Sequence, residues 1–453
     1  MIPRRDEVKS LVRLAVPVAG VQIGMMAMGV MDTIMVGRVS PTDLAAIALG
    51  NIYFFASVVF GMGVIFSLDP VVAQAVGAGD RLGVSRAVQR GLFLAACLTV
   101  VATGFLLPAE PLLTVLRQPV DVIPVAAGYA HASIPGVFPF LGFMAVRQTL
   151  QALHHLAPIV WTIIGANVLN VFFNWVLVFG HLGFEPMGAV GSGWASSLSR
   201  WAMFAGLLVI SWPLIRPYLR PYRPDAFRWV PLFRMVKLGA PIGIQMQLEF
   251  GAFMVVGILM GWLGTVAMAG HQVALNLASF TFMAPVGIAQ ASAVMVGRAI
   301  GREDPFAARR AAGAGILLAA GFMTITASLF LTLPELLARI YTTDIAVLAL
   351  AATLIPVAGI FQVVDGLQVV EAGVLRGVGD TKSPMVINLL GFWLVGMPIS
   401  LYLGFRTSAG PIGLWWGLAA GLGAVAFFLL IRVRHRMGLD LRRIIIDDEA
   451  EDE

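Results

Sequence analysis

One stretch of this sequence occurs twice, and that repeat strongly limits how the chain can fold. The segment from Arg13 to Gly91 returns from Lys237 to Gly315, 224 positions later and without a gap. Solenoids and propellers repeat every 20–50 residues or so, and a period this long indicates a duplicated domain instead. Two related halves in one chain are typical of a transporter whose site lies between them. Identical positions in the two copies include Pro17 and Pro241, Gly37 and Gly261, Gly63 and Gly287, Gly77 and Gly301, Asp80 and Asp304, Arg86 and Arg310, and Gly91 and Gly315.

The composition places this duplicated chain in a membrane. Hydrophobic residues make up 59% of the 453 positions and charged residues 12%, whereas a soluble domain carries about 25% charged residues. The apolar runs reach about 20 residues or more, the length that a helix needs to cross a bilayer. Strands of a membrane barrel would instead alternate over about ten residues. The predicted fold class is therefore an all-α polytopic membrane protein.

Twelve apolar segments can be placed, six on each side of a polar connector. Since an even number of spans returns the chain to its starting side, we expect two six-helix bundles related by a pseudo-twofold axis along the membrane normal. The predicted domains are an N-terminal bundle at 1–212, a cytoplasmic connector at 213–236, a C-terminal bundle at 237–436 and an acidic cytoplasmic tail at 437–453. The predicted spans are 14–36, 44–68, 88–109, 122–146, 158–180, 188–212, 237–262, 266–296, 311–333, 345–370, 384–404 and 411–432.

The distribution of Lys and Arg predicts the orientation. In this topology 25 of these residues, Arg147 among them, lie on the side of both termini, and four lie on the opposite side. Because basic residues are retained in the cytoplasm, both termini are expected there, with the chain in the cell (inner) membrane. The basic connector is expected to face anionic lipid and not nucleic acid. The single cysteine, Cys97, lies in an apolar run, so we expect neither a disulfide framework nor a cluster of thiol metal ligands.

An ionisable side chain inside a span is costly and therefore suggests function. The first predicted span contains Asp32, and Met25, Met28 and Met35 follow helical spacing on its face. A face lined by flexible, polarisable methionines suits varied apolar ligands, although ordinary core packing explains the methionines equally well. We interpret Asp32 as a functional carboxylate.

The fifth and sixth spans also carry polar groups. Asn167, Asn170 and Asn174 share one face of the fifth span. These amides could join helices together, or they could neighbour Asp32 and help it hold a proton or an ion. Arg200 is a cation near the middle of the sixth span, and it could pair with a carboxylate.

The second half carries two further acids within its spans. Gln245 and Glu249 lie one turn apart in the seventh span, and Gln362 and Asp365 share a face of the tenth, with Glu371 turned away from them. A buried carboxyl that exchanges H⁺ or Na⁺ against a cationic substrate would suit an antiporter, so Na⁺ is a candidate ligand of Glu249 and Asp365. His271 and Gln272 in the eighth span could add polar contacts, although a lone histidine in a span is more often a packing residue.

No metalloprotease, serine hydrolase or nucleotide-binding motif is present in the sequence, so an ion gradient is the expected energy source. Two alternatives stay open. A lipid-linked sugar or polysaccharide flippase would need a strongly basic cavity, whereas the charges within the spans are mostly acidic. A membrane-embedded lipid-modifying enzyme would need acids or histidines clustered at the membrane interface, whereas these acids lie in mid-span.

Four segments together resemble the multidrug and toxic compound extrusion (MATE) transporters, in particular their NorM-like branch. They are MDTIMVGRVSPTDLAAIALG from Met31, DPVVAQAVGAGD from Asp69, QLEFGAF from Gln247 and VVEAGVLRGVGDTKSP from Val369, and the likeness covers nearly the whole chain. The resemblance implies two six-helix bundles and export of cationic amphipathic compounds in exchange for Na⁺ or H⁺ by alternating access.

The resemblance also implies roles for individual residues. Asp32 matches the acid of an N-terminal cation site, Asn170 and Asn174 match its amides, and Glu249 and Asp365 match the acids of a C-terminal site. Arg200 has no counterpart in this pattern. No cofactor, enzyme activity or nucleic-acid partner is expected, and each chain, holding both halves, is expected to work as a monomer. Gln245, Gln362, His271, Gln272, Met28 and Arg200 are secondary candidates.

Overall fold

A computed structural model describes residues 3–447, and these residues form helices and connecting turns without strands. Eleven helical segments are long and apolar enough to cross a membrane, and the number is twelve if the bent pair Gly188–Ile210 and Trp212–Leu219, which meet at 86°, counts as one span. The predicted twelve spans agree with the upper of these two numbers. The segments are α1 (Arg5–Val36), α2 (Pro41–Gly77), α3 (Arg81–Leu106), α4 (Ile123–Ala152), α5 (Ala157–Phe179), α6 (Gly188–Ile210), α7 (Trp229–Trp262), α8 (Thr265–Gly301), α9 (Pro305–Thr332), α10 (Ile345–Val378), α11 (Lys382–Phe405) and α12 (Gly410–Gly438).

Three of these segments change their helical winding along their length. α2 consists of Pro41–Ile65 and Leu68–Gly77, and α11 contains a π-helical stretch at Leu389–Gly396. α4 passes through a 3₁₀ turn at Ile134–Gly136, where Pro135 removes a backbone donor. Shorter helices lie at Ala109–Val115, Pro224–Phe227 and Pro334–Arg339.

Many apolar side chains of these segments face outward. Val100 on α3 is 72% exposed, Trp161 on α5 is 66% exposed and Leu394 on α11 is 70% exposed. A soluble protein does not present rows of such residues to water, whereas a bilayer solvates them. The chain is therefore a membrane protein.

The helices pack into two compact units, which we describe separately. One unit contains the residues up to Ala19 and Ile244–Ile444, and the other contains Gly20–Gly243 and the described residues from Ile445. The first part of α1 thus packs with the second half of the chain, and the first part of α7 packs with the first half. The predicted domain boundaries follow the order of the spans and stay a prediction.

The repeated glycines allow these close helix contacts. A Cβ on Gly63 of α2 would lie 2.2 Å from the Cα atom of Gly243 on α7, and a Cβ on Gly287 of α8 would lie 2.8 Å from the Cα atom of Ala19 on α1. Gly243 and Ala19 are themselves 224 positions apart. The same crossing therefore occurs once in each unit, between matching positions of the repeat.

Two other repeated pairs also have structural roles. Asp80 accepts a hydrogen bond from Gly83 N at the start of α3, and Asp304 accepts one from Ala307 N at the start of α9, so both cap a helix. Arg86 pairs with Asp225 ahead of α7, at 2.5 Å from Nε to Oδ2, and Arg310 pairs with Glu7 near the start of α1.

The connector ahead of α7 is docked on α3. Arg90 Nε donates to the carbonyl of Ala226 over 2.7 Å, and Ser85 Oγ donates to the carbonyl of Tyr218 over 2.7 Å. Burial by itself would raise the pKa of Asp225, but the hydrogen bond and charge of Arg86 outweigh it and hold this pKa below its usual value of 3.8. Specific polar contacts thus hold this basic segment in place.

Candidate functional site

Helices α1, α5 and α6 bring three polar side chains together around Asp32. One carboxylate oxygen, Oδ1, accepts hydrogen bonds from Asn170 Nδ2 over 3.0 Å and from Asn174 Nδ2 over 2.7 Å. The other oxygen, Oδ2, accepts one from Ser196 Oγ over 2.6 Å. Asp32 is 4% exposed, and its three partners are equally buried. The structure therefore places Asp32, Asn170 and Asn174 in one site, and Ser196 joins them.

This arrangement suits an ionised Asp32 carboxylate, which could also take up a proton or a cation. An ionised carboxyl only accepts hydrogen bonds, and Asp32 accepts three; a proton on either oxygen would convert that oxygen into a donor. The Oδ1 atoms of Asn170 and Asn174 are buried and have no hydrogen-bond partner among the described residues. Carboxylate and amide oxygens are ligands that hard cations prefer. The cluster can thus respond to a proton or to a small cation.

Arg200 lies one helical turn after Ser196 on α6 and is 9% exposed. Its guanidinium lies 4.0 Å from the centroid of the Phe54 ring and 5.7 Å from that of Phe140. Such cation–π contacts stabilise a buried positive charge. Arg200 is also close enough to interact electrostatically with Asp32, so the predicted intramembrane cation belongs to the surroundings of this site.

The other candidates of the first half have different surroundings. Met28 is buried one turn before Asp32, at 9% exposure. Asn167 donates to the carbonyls of Gly24 and Ile163, each over 2.9 Å. Asn167 therefore joins α1 to α5, which is the structural interpretation left open above.

The second half holds a separate acidic site on α7 and α10. Glu249 is half-buried, and its Oε1 accepts a hydrogen bond from Gln368 Nε2 over 3.2 Å. Asp365 is 5% exposed and interacts electrostatically with Glu249. The oxygen of Gln362 accepts from Thr281 Oγ1 over 2.8 Å. The structure therefore brings Glu249 and Asp365 together and adds Gln368, which the sequence analysis did not name.

The remaining candidates of the second half contribute less to this site. Gln245 is buried one turn before Glu249, at 8% exposure. His271 packs edge-on against Trp415, with 5.6 Å between the ring centroids, which fits a packing residue. Gln272 is exposed and donates to Asn276 on its own helix over 3.5 Å.

Sequence reasoning missed Ser196 and Gln368 for different reasons. Ser196 lies in the small-residue run GSGWASSLSR, where hydroxyl groups usually serve packing, and it is 164 positions from Asp32. Gln368 lies three positions after Asp365 on the same helix, so helical spacing could have found it.

The predicted fourth span, 122–146, ends earlier than the helix does. α4 continues to Ala152, and Arg147 is fully buried, donating to Gln22 Oε1 over 2.8 Å. The predicted span ended too early because three polar residues, Arg147, Gln148 and Gln151, lower the local hydropathy, although all are buried against protein. Without Arg147 the predicted split of basic residues becomes 24 to 4.

Metal clusters of the familiar enzymatic type are not found between residues 3 and 447, where no group of three His, Cys, Asp or Glu side chains comes together. The polar chemistry of the spans is instead that of isolated acids surrounded by amides and hydroxyls. Acids of this kind in a duplicated helical membrane protein define a secondary transporter.

The comparisons with known proteins name the family. The sequence profile described as MatE matches residues 17–176 and 241–402, once in each half, and the chain belongs to this family. The probable multidrug resistance protein NorM of Rhizobium meliloti (strain 1021) is 36% identical over 428 residues, which span 92% of this chain and 91% of that protein. The multidrug resistance protein PmpM of Pseudomonas aeruginosa is 37% identical over 439 residues, or 95% of this chain and 91% of that protein.

Solved structures share the fold. The crystal structure of the eukaryotic MATE transporter AtDTX14 superposes with a TM-score of 0.87 at 19% identity, over 95% of this chain and 99% of that one. An outward-facing multidrug resistance MATE family transporter of the MOP superfamily gives 0.85 at 18% identity, over 95% and 96%. The family consists of transporters and not of enzymes, so the lipid-modifying enzyme is excluded.

Proposed function

We propose that this protein exports several cationic, amphipathic compounds from the cell in exchange for H⁺ or Na⁺. The carrying observation is the buried Asp32, whose carboxylate is surrounded by Asn170, Asn174 and Ser196 without a metal cluster in the described chain. The names of the relatives, which are multidrug resistance proteins at 33–37% identity, support the same activity and give no support to a sugar flippase.

The mechanism that we propose is competition between the coupling cation and the substrate. A cation that binds at Asp32, or at Glu249 and Asp365, neutralises an acid that otherwise attracts a cationic drug, so the drug leaves toward the outside. Return of an unloaded acid to the cytoplasmic side then allows the next drug to bind. Met28, Gln245 and Gln362 are proposed to contact substrate or ion, and Arg200 is proposed to limit how much positive charge the first site accepts.

We further propose that the protein works as a monomer in the inner membrane, with both termini in the cytoplasm. The two bundles, residues 1–212 and 237–436, are proposed to be the two halves that alternate, with the connector 213–236 and the tail 437–453 on the cytoplasmic side. Neither a cofactor nor a nucleic acid takes part in this proposal.

The test is efflux of a fluorescent cationic dye from proteoliposomes, with a Na⁺ gradient and a pH gradient imposed separately. We compare the wild type with Asp32→Asn, Glu249→Gln and Glu335→Gln, the last being an exposed acid on a short helix outside the predicted spans. We expect one gradient to drive efflux, at least one of the first two variants to lose most of it, and Glu335→Gln to match the wild type. Efflux at wild-type rates in both Asp32→Asn and Glu249→Gln would refute the mechanism.

A further inference from the structure

A groove lies between α11 and α12, on the surface of the unit that contains both helices. Its volume of about 390 Å³ falls within the range of about 300–1,000 Å³ that is usual for small-molecule sites. The apolar side chains along it include Leu390, Phe428 and Ile431, and all three are exposed. None of the residues proposed above to bind ion or substrate lines it, so the groove is a separate place where a molecule can bind.

The shape of the groove depends on small residues and on the winding of α11. Gly391 and Ala424 line it between larger apolar side chains. A Cβ on Gly391 would lie 2.3 Å from Val425 Cγ2, so a larger residue at this position would push against α12. Apart from Ile387, the lining residues of α11 lie in its π-helical stretch, Leu389–Gly396. Helical turns of this kind are rare and occur frequently at functional sites.

One end of the groove carries nitrogen donors, and no acid lines the groove within the described chain. Arg432 and His435 lie one turn apart on α12. Arg432 Nε donates to Asp380 Oδ2 over 2.7 Å, which fixes the side chain and uses one of the five N–H donors of the guanidinium. His435 is exposed, and a histidine ring keeps at least one N–H donor in either charge state. His435 and the remaining donors of Arg432 can therefore bind a second anion.

The length of the groove matches one leaflet of a bilayer. On α12 it extends from Ala424 to His435, which is about 16 Å at about 1.5 Å per residue. The hydrocarbon core of a bilayer is about 30 Å thick, so one leaflet accounts for about 15 Å. The end with the nitrogen donors lies within two turns of Gly438, the last residue of α12. In the proposed topology this end is at the cytoplasmic surface, where anionic headgroups attract basic residues.

We propose that this groove binds an anionic phospholipid, with an acyl chain along the apolar walls and the phosphate at Arg432 and His435. The planar guanidinium matches the geometry of phosphate oxygens. The exposed apolar walls suit a hydrocarbon chain, and a soluble anion would leave them uncovered. This binding site is independent of which compound the protein exports and of which ion drives export.

Native mass spectrometry of the detergent-solubilised protein tests the site by titration with phosphatidylglycerol and with phosphatidylcholine of the same chains. We expect the wild type to bind the anionic lipid at least about fivefold more tightly, the factor that one basic residue beside the headgroup supplies. Arg432→Gln should lose most of this preference without a change in the affinity for phosphatidylcholine. The matched control is Arg434→Gln, a neighbouring exposed arginine outside the groove, which should keep the preference. Ala424→Phe fills the groove and should weaken the binding of both lipids.

Two further measurements keep the test independent of the fold of one variant. His435→Gln changes the same end of the groove without removing the bond between Arg432 and Asp380, and it should also lower the preference for phosphatidylglycerol. Phosphatidylglycerol with a diazirine in its acyl chain should label α11 or α12 beside the groove.

Several outcomes would overturn the lipid site. Equal affinity of the wild type for both lipids would remove the headgroup from Arg432 and His435, and an equal loss in Arg432→Gln and Arg434→Gln would indicate surface charge alone. Photolabelling confined to other helices would place the lipid elsewhere. Dimers that persist without bound lipid and are lost in Ala424→Phe would show that a second copy of the chain covers the groove.

Discussion

At the scale of single residues, polar groups within the spans divide into those that stabilise the helices and those that form a site. Asn167 donates to backbone carbonyls, including one on its own helix, whereas Asn170 and Asn174 donate to the Asp32 carboxylate. The three amides share one helix face, so the difference depends on the partner that each meets. Ser196 completes the site by donating to Asp32. Removing its hydroxyl therefore tests whether these polar groups serve function or only helix packing.

Ser196→Ala should weaken the site, because a hydrogen bond to a charged group contributes about 1.5–3 kcal/mol. We expect lower gradient-driven dye efflux and a lower melting temperature in detergent. The matched control is Ser199→Ala, since Ser199 is equally buried on α6 but donates to the carbonyl of Ala195 on its own helix. If both variants lost efflux to the same degree, Ser196 would have no special relation to Asp32.

At the scale of helices, the repeated pair Gly63 and Gly287 marks crossings that leave no room for a side chain. Gly63 on α2 meets Gly243, and Gly287 on α8 meets Ala19, at matching positions of the two halves. Small residues let helix backbones approach closely where no hydrophobic effect drives association. Gly63 and Gly287 are therefore explained by close helix packing.

Gly63→Ala should destabilise the protein by about 1–3 kcal/mol, because the added methyl group overlaps the α7 backbone. Gly104→Ala on α3 is the control, since a Cβ there meets nothing within 4 Å, and it should be neutral or slightly stabilising. Thermal unfolding in detergent measures both. A Gly63→Ala protein as stable as Gly104→Ala would show that the crossing can move apart at little cost.

At the scale of the whole molecule, the duplication limits the topology, because two halves of the same kind are expected to contain the same number of spans. In the predicted topology each half has an even number of spans, so both halves have the same orientation, and the basic residues favour one side strongly, at 24 to 4. The buried Arg147 does not change this balance, because it lies within α4 and carries no information about the loops.

We predict that the connector is cytoplasmic and the loop between α3 and α4 extracytoplasmic. In a Cys97→Ala background, Val120→Cys in that loop, 85% exposed, should react with a membrane-impermeant maleimide in intact cells. Tyr222→Cys in the connector, 70% exposed, should react only after the cells are opened. The reverse pattern would invert the orientation, and equal labelling of both in intact cells would contradict the topology.

The sequence by itself determined the duplication, the number of spans and the acids within them. These features are local. A membrane span is predicted from the mean hydropathy of consecutive residues, and an acid inside an apolar run is found from the sequence without knowledge of the fold. Only the tertiary structure decided that Ser196 and Gln368 are the partners of Asp32 and Glu249, and that α1 and α7 each begin in the unit of the other half. It also placed Arg147 inside the protein. Each of these depends on contacts between residues far apart in the chain. The sequence pattern of a single helix does not determine which distant side chain will contact that helix.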